Sequence, residues 1–516
     1  MLAAVVALGG AGSCATYSDK TDEARRALRR GDYEDSLQLW NKLLKVRTAE
    51  SLPDDWKKNT PLVVLERATV LQALGDHALS SRDFEAADKE LELLDIARDG
   101  AGKIGKYIYS DSATKFKTSP TEKLSLNAMN MCNYLVRGDL NGAKVEAKRF
   151  TVMRNYFRDY DPEHEHGAFG SYLAGFVYEK LGQPDEALRY YEEALTERDF
   201  GSLTGPIARL AKQGTYRGER IKDYLPDDDG TPSPTEPKAK APSEPAKSEP
   251  IRTSPQDDPP EEPDEDSDDA IDDGTDTDAA GPKVQTPTKP GPETLSAIPS
   301  AAVDWAAAPK SVGGEILVIA KTGRVPHRVP ERIPIGAAIG IAGAFVTGDT
   351  TLLEYGMFKV VVYPELVSAE NLFVDADLRI DGKTVAMDEA SDLGAEIVAE
   401  YDELRPKIIG AALTRMIARA AAAEGARAAG NQAENGGIVG FLAAAAVEGT
   451  LVALDKPDTR SWSTLPAKVH IGRQIVPAGK HRVEVTVYGA GGKQRHTAEV
   501  VVTPGGFAVV DVTTLR

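Results

Sequence analysis

The residues best suited to chemistry stand together in the run Asp458-Thr459-Arg460-Ser461-Trp462. Arg460 offers a planar fork of donors that fits a carboxylate or phosphate, and Trp462 a face on which a sugar ring can stack. With Asp458 and Ser461 they form a candidate ligand-binding group. The same residues would also make an ion-paired turn leading into the strands that follow, and composition favours that simpler reading. A hydrolytic reading needs Ser461, Asp458 and His470 gathered in one cleft. A second cluster, Asp161-Pro162-Glu163-His164-Glu165-His166, alternates imidazoles as a metal site would. No cysteine or third histidine lies near it, and its acidic residues suit a helix start, so no metal is expected there. The chain contains no G-x-x-x-x-G-K-[ST], H-E-x-x-H, G-x-S-x-G or C-x-x-C pattern. Residues 489–493 read as a hairpin turn, not a phosphate loop. No catalytic residue stands out, and the expectation is a protein that is not an enzyme.

The two cysteines, Cys14 and Cys132, are too few and too far apart for a disulfide framework. Cys132 lies in the apolar-periodic run 126–135 and reads as an inert core thiol. Cys14 is different. Residues 1–11 are almost wholly small and apolar, and Ala11-Gly12-Ser13-Cys14 resembles a bacterial lipoprotein signal. The resemblance implies cleavage before Cys14 and a covalent lipid on its sulfur, with no other cofactor. Each buried CH₂ of an acyl chain contributes about 0.8 kcal/mol, so two chains anchor firmly. Ala15 after the cysteine favours, by analogy, the bacterial outer membrane, with the protein lipid-anchored on the periplasmic face.

The elements that must position these groups fall on either side of an acidic stretch. Net charge is −19, yet residues 226–296 alone hold twenty acidic against six basic side chains. The remainder is nearly balanced and lacks the basic footprint that nucleic acid requires. Residues 226–300 are rich in proline and poor in aliphatic side chains, so they are expected to remain disordered and act as a spacer. The chain thus divides into a signal segment (1–14), a helical domain (20–222), the linker (226–300) and a C-terminal domain (311–516).

Within 20–222 one short pattern occurs four times: Arg30-Gly31-Asp32-Tyr33, Arg82-Asp83-Phe84-Glu85, Arg137-Gly138-Asp139-Leu140 and Leu181-Gly182-Gln183-Pro184. Each reads as the turn of a helical hairpin, with glycine at the left-handed position and a polar residue opening the next helix. Ala187, Leu188, Tyr191 and Leu195 continue the helical spacing. The pattern is similar to the tetratricopeptide repeat, though its spacing is irregular. That resemblance implies a solenoid whose concave face holds a peptide or helix, here an envelope protein partner.

Past residue 314 the pattern turns to strands. Residues 315–320 and 357–363 are β-prone, and 378–385 read as a hairpin around Asp381-Gly382. Residues 390–404, 406–429 and 438–454 are helix-forming, with Pro406 opening the second. Residues 468–471, 482–488, 497–503 and 508–512 return to strand. The apolar stretches 335–346 and 438–454 are too short to span a bilayer and read as core.

Residues 314–319, 392–419 and the run from Asp458 to Pro466 are similar to a family of bacterial tetratricopeptide-repeat-containing outer-membrane lipoproteins. This resemblance implies architecture and location, and it brings no activity, substrate or catalytic residue. Pro477-Ala478-Gly479-Lys480-His481 resembles the turn of small surface β-domains that serve envelope interactions. The expected fold is α+β multidomain: a tetratricopeptide-like solenoid, a disordered acidic linker, and an α+β domain ending in antiparallel strands. The expected function is a membrane-tethered, non-catalytic scaffold. The alternative is binding of peptidoglycan or another cell-wall glycan through the C-terminal domain.

Overall fold

The computed structural model of the protein describes residues 15–91, 116–160, 167–225, 313–345, 360–430 and 457–516. Cys14, the 161–166 run, the 226–300 linker and residues 438–454 lie outside them.

Four antiparallel helical hairpins open the described fold: α1 (Tyr17–Arg30) with α2 (Tyr33–Leu44), α3 (Thr60–Ala73) with α4 (His77–Glu90), α5 (Pro120–Val136) with α6 (Leu140–Tyr160), and α7 (Ala168–Lys180) with α8 (Pro184–Glu197). Short helices α9 (Thr204–Leu210) and α10 (Glu219–Lys222) follow. Capping boxes start α1, through Thr16 and Asp19, and α5, through Ser119 and Glu122. Each hairpin turns on a glycine, Gly31, Gly75, Gly138 or Gly182, with φ between 69° and 85°.

Three of these turns stand where the sequence placed them, and the second does not. Arg82-Asp83-Phe84-Glu85 lies inside α4, and the turn falls at Gly75. Phe84 and Ala87 are fully buried at helical spacing, and Asp83 takes a two-point ion pair from Arg67 of α3, at 2.6 and 3.0 Å. Those contacts require the segment to be helix, whatever its likeness to the neighbouring turns.

Among the described residues the C-terminal part holds three sheets. The first combines β1 (Gly314–Thr322), β6 (Met387–Asp392), β7 (Lys468–Val476) and β10 (Phe507–Thr514) in the order β10-β1-β7-β6, with β10 parallel to β1. The second has the order β5-β4-β8-β9, from β4 (Asp375–Ile380), β5 (Lys383–Val385), β8 (Gly479–Gly489) and β9 (Gly492–Val502). The β4–β5 turn is Asp381-Gly382, both with positive φ, as the hairpin reading expected. Residues 489–492 turn the β8–β9 hairpin. A ribbon of β2 (His327–Pro334) and β3 (Val360–Val367) packs against α11 (Ile335–Ala342) and α12 (Leu393–Gly430) through Tyr363, Tyr401, Ile409 and Leu413.

Helix α12 departs from expectation by running through Pro406, where a new helix was expected to begin. Proline removes one backbone donor from the ladder. Leu404, Ile408, Ile409 and Ala412 are buried on either side of it, so packing carries the helix across. Among the described residues no helix is long and apolar enough to cross a membrane.

Alternation along β1 decides the layering. Ile316, Val318 and Ala320 face Leu378, Val483, Val485 and Val487 of the second sheet, while Leu317 and Ile319 join the core of the helical hairpins. The helices, the first sheet and the second sheet therefore form three layers. The expected α+β fold of helical repeats and a C-terminal strand domain is present, and the two parts pack into one compact unit where a spacer between separate bodies was expected.

Candidate functional site

The concave side of the hairpins is the place where a repeat of this kind holds polypeptide. The helices most fully covered are α3, α5 and α7. On α3 every residue from Pro61 to Gln72 is buried, and on α7 every residue from Ala168 to Tyr178. A helix lying on a single partner keeps a polar face for water; these have none because they are covered twice. One side of each packs on its hairpin mate, and the other on the chain's own C-terminal strands and the segment before β7.

That segment contains the candidate ligand-binding residues. Trp462 is fully buried, edge-on to Phe84 of α4 at 5.8 Å between ring centres. Its indole Nε1–H donates to Thr69 Oγ1 at 3.1 Å, and its backbone N–H to Glu122 Oε1 at 2.7 Å. Glu66 on α3 accepts the backbone N–H of Ser463 at 2.9 Å and that of Thr464 at 2.7 Å, and also the Ser463 hydroxyl at 2.8 Å. Burial pushes the carboxyls of Glu66 and Glu122 above their usual range, while hydrogen bonds from this segment pull them back. These two acids act as anchors for an otherwise unsatisfied stretch of backbone.

Arg460 turns its fork on Asp458, Nε at 2.8 Å and Nη2 at 2.6 Å, and Ser461 Oγ accepts the Arg328 N–H at 3.2 Å. Asp458, Arg460, Ser461 and Trp462 therefore form an ion-paired turn plugged into the groove. The stacking face that a glycan would need is closed, because no part of the Trp462 ring is open to solvent. The hydrolytic trio is not assembled: Asp458 serves Arg460, Ser461 serves Arg328, and His470 Nδ1 lies 3.8 Å from Asp375. Beside Ser461 is a void of about 20 Å³ lined by Glu122, Arg328, Glu400 and Tyr401, with room for a single water and none for a substrate.

Two further polar seams join the halves. Arg473 of β7 meets both Glu179 of α7, Nη2 at 2.6 Å from each carboxylate oxygen, and Glu315 of β1. Tyr191, Lys180 and Arg209 belong to the same cluster. Burial would raise the Glu179 carboxyl, but Arg473 and Lys180 hold it down at about 2. Lys321 of β1, fully buried, is shared by Asp511 of β10 at 2.8 Å and by Gln72 of α3. Cys132 is buried as expected; apolar surroundings push its thiol up to about 12, out of reach of thiolate chemistry. Among the described residues no group of His, Cys, Asp and Glu could hold a metal ion.

Sequence reasoning found the plug and missed its sockets, Glu66 and Glu122, as well as Glu179, which holds Arg473. The available signal was α7 itself, AFGSYLAGFVYEK, whose only charges are its last two residues. Such a helix must be covered on every side.

Residues 168–198, spanning α7 and α8, match the tetratricopeptide repeat family. Among solved structures, the one titled "Crystal structure of MamA protein" shares 12% identity, over 37% of this chain and 78% of that chain, with a TM-score of 0.24. No curated protein matches the chain. Tetratricopeptide proteins are typically non-catalytic scaffolds for protein–protein contact, and here the polypeptide seated in the groove belongs to the same chain.

Proposed function

We propose that this protein is a non-catalytic interaction scaffold of the bacterial envelope, tethered to the outer membrane by lipid on Cys14 and facing the periplasm. The observation that carries the scaffold reading is the row of four helical hairpins gripping polypeptide through Glu66, Glu122 and Glu179. The run ending in Cys14 supports the tether, through its resemblance to a lipoprotein signal. Because the groove is full, an envelope partner meets the closed unit from outside; entry into the groove would require expulsion of Trp462 and exposure of two buried carboxyls, Glu66 and Glu122.

Cross-linking of the full chain in its native envelope, followed by mass spectrometry of captured peptides and of the mature N-terminus, tests both parts. Recovery of a reproducible protein partner and a diacylated Cys14, lost in Cys14→Ala, is the expected result. An unmodified N-terminus removes the tether, and an absence of protein cross-links together with sedimentation on cell-wall sacculi would replace the scaffold by a glycan-binding protein.

A further inference from the structure

Among the described residues the second sheet ends on β9, an edge strand of 11 residues. Its inward residues, among them Ala498 and Val500, pack on the sandwich core, and its outward residues Lys493, Arg495, Thr497, Glu499 and Val501 are exposed. Edge strands carry unpaired backbone donors and acceptors, and charges on them normally discourage a second strand. Here the charges have a particular arrangement. Thr497 stands at the midpoint of Gly492–Val502, with Arg495 two residues before it and Glu499 two after. Among the described residues neither Arg495 nor Glu499 forms an ion pair, and Arg482, the cross-strand neighbour of Glu499, is turned to Glu484 at 2.9 Å.

We infer that β9 pairs antiparallel with β9 of a second copy of this chain, about a two-fold axis through Thr497, joining two four-stranded sheets into one of eight. In that register Gly492 meets Val502 at both ends with no overhang. Arg495 of each copy lies opposite Glu499 of the other, and Thr497 faces itself. The charges that repel most strands become two symmetric ion pairs on the outer face, each pair opposite across the new ladder. A foreign strand would need the complementary sequence; this one carries its own complement.

The test is sedimentation of the full chain over a range of concentrations, with circular dichroism to show that each variant is folded. Wild type is expected to dimerise reversibly. Arg495→Glu places two acids opposite one another twice over, and Glu499→Arg places two bases so; each should weaken the dimer about tenfold. The double exchange R495E/E499R restores the opposite charges and should restore the dimer. Residues directly opposite in antiparallel strands lie about 4.5–5.5 Å apart at Cα, inside disulfide range. Thr497→Cys should therefore cross-link to itself under mild oxidation. A wild-type chain that stays monomeric throughout overturns the inference, as does a dimer indifferent to either charge reversal or a double exchange that fails to restore association.

Discussion

Arg473 on β7 places its Nη2 2.6 Å from both carboxylate oxygens of Glu179 at the end of α7, so the strand core and the repeats share one ion pair. The same guanidinium serves Glu315. Removing one partner of a buried pair leaves the other charge stranded, which costs about 3–5 kcal/mol. Arg473→Met leaves Glu179 and Glu315 to Lys180 and the partly exposed Arg209, and is expected to lower unfolding stability by about 3 kcal/mol in a urea titration.

The depressed carboxyl of Glu179 also sets a pH window. A group whose folded pKa lies below its unfolded value contributes stability above the unfolded value, near 4.5, and loses it as pH falls through about 2. Glu179→Gln, which mimics the protonated acid, should be less stable than wild type at neutral pH. The two stability curves are expected to converge as pH is lowered from about 5 toward 2.

Glu396, in the first turn of α12, behaves oppositely. Burial, with Glu197 and Glu400 nearby, raises its carboxyl to about 8, while the Ser391 hydroxyl donates to it at 2.7 Å. Above its ordinary value the unfolded chain ionises and the folded one does not, so stability declines from about pH 4.5 to 8. Glu396→Gln should escape that decline. In thermal melts its margin over wild type grows with pH through this window, by about 1.4 kcal/mol for each unit of the displacement.

Trp462 fills the groove, and Trp462→Ala is expected to cost about 3–5 kcal/mol from the lost packing and void. The indole bond to Thr69 goes with it. Because the repeats and strands share one core, the variant should still melt in a single transition at lower temperature. Two separated transitions would contradict the shared core.

Residues 15–225 expressed alone would present the uncovered sides of α3, α5 and α7 to water. Such a fragment is expected to bind a hydrophobic dye strongly and to self-associate, while the full chain does neither. A well-behaved fragment that refuses dye would show that the strands are dispensable to the helices.

The local elements were readable because local rules decide them. Gly31, Gly138 and Gly182 sit where a left-handed turn is required, Asp381-Gly382 where a hairpin is, and the alternating valines of β8 mark its buried side. The second turn was misread because Arg82-Asp83-Phe84 carries the same letters as its neighbours, while its structure is fixed by Arg67, 16 residues earlier. The candidate site was legible as a group and opaque as a role. Arg460 and Trp462 have the chemistry of ligand binding, and only the fold reveals that Asp458 and Thr69 have already used it. What joins the halves is set by pairs such as Glu66 with Thr464, 398 positions apart, and no periodicity within a window reports on those.

The longest of these reaches has a temporal side. The Leu515 N–H donates to the Tyr33 hydroxyl at 3.0 Å across 482 positions, and Lys321 waits on Asp511 for its counter-charge. Translation adds roughly 5–20 residues each second, so on the order of a minute separates the making of α2 from the making of β10. Throughout that minute the newborn helices carry an open apolar trough. The trough can close only once β10 has been made, so the covering of the helices is the last step that the order of the chain allows.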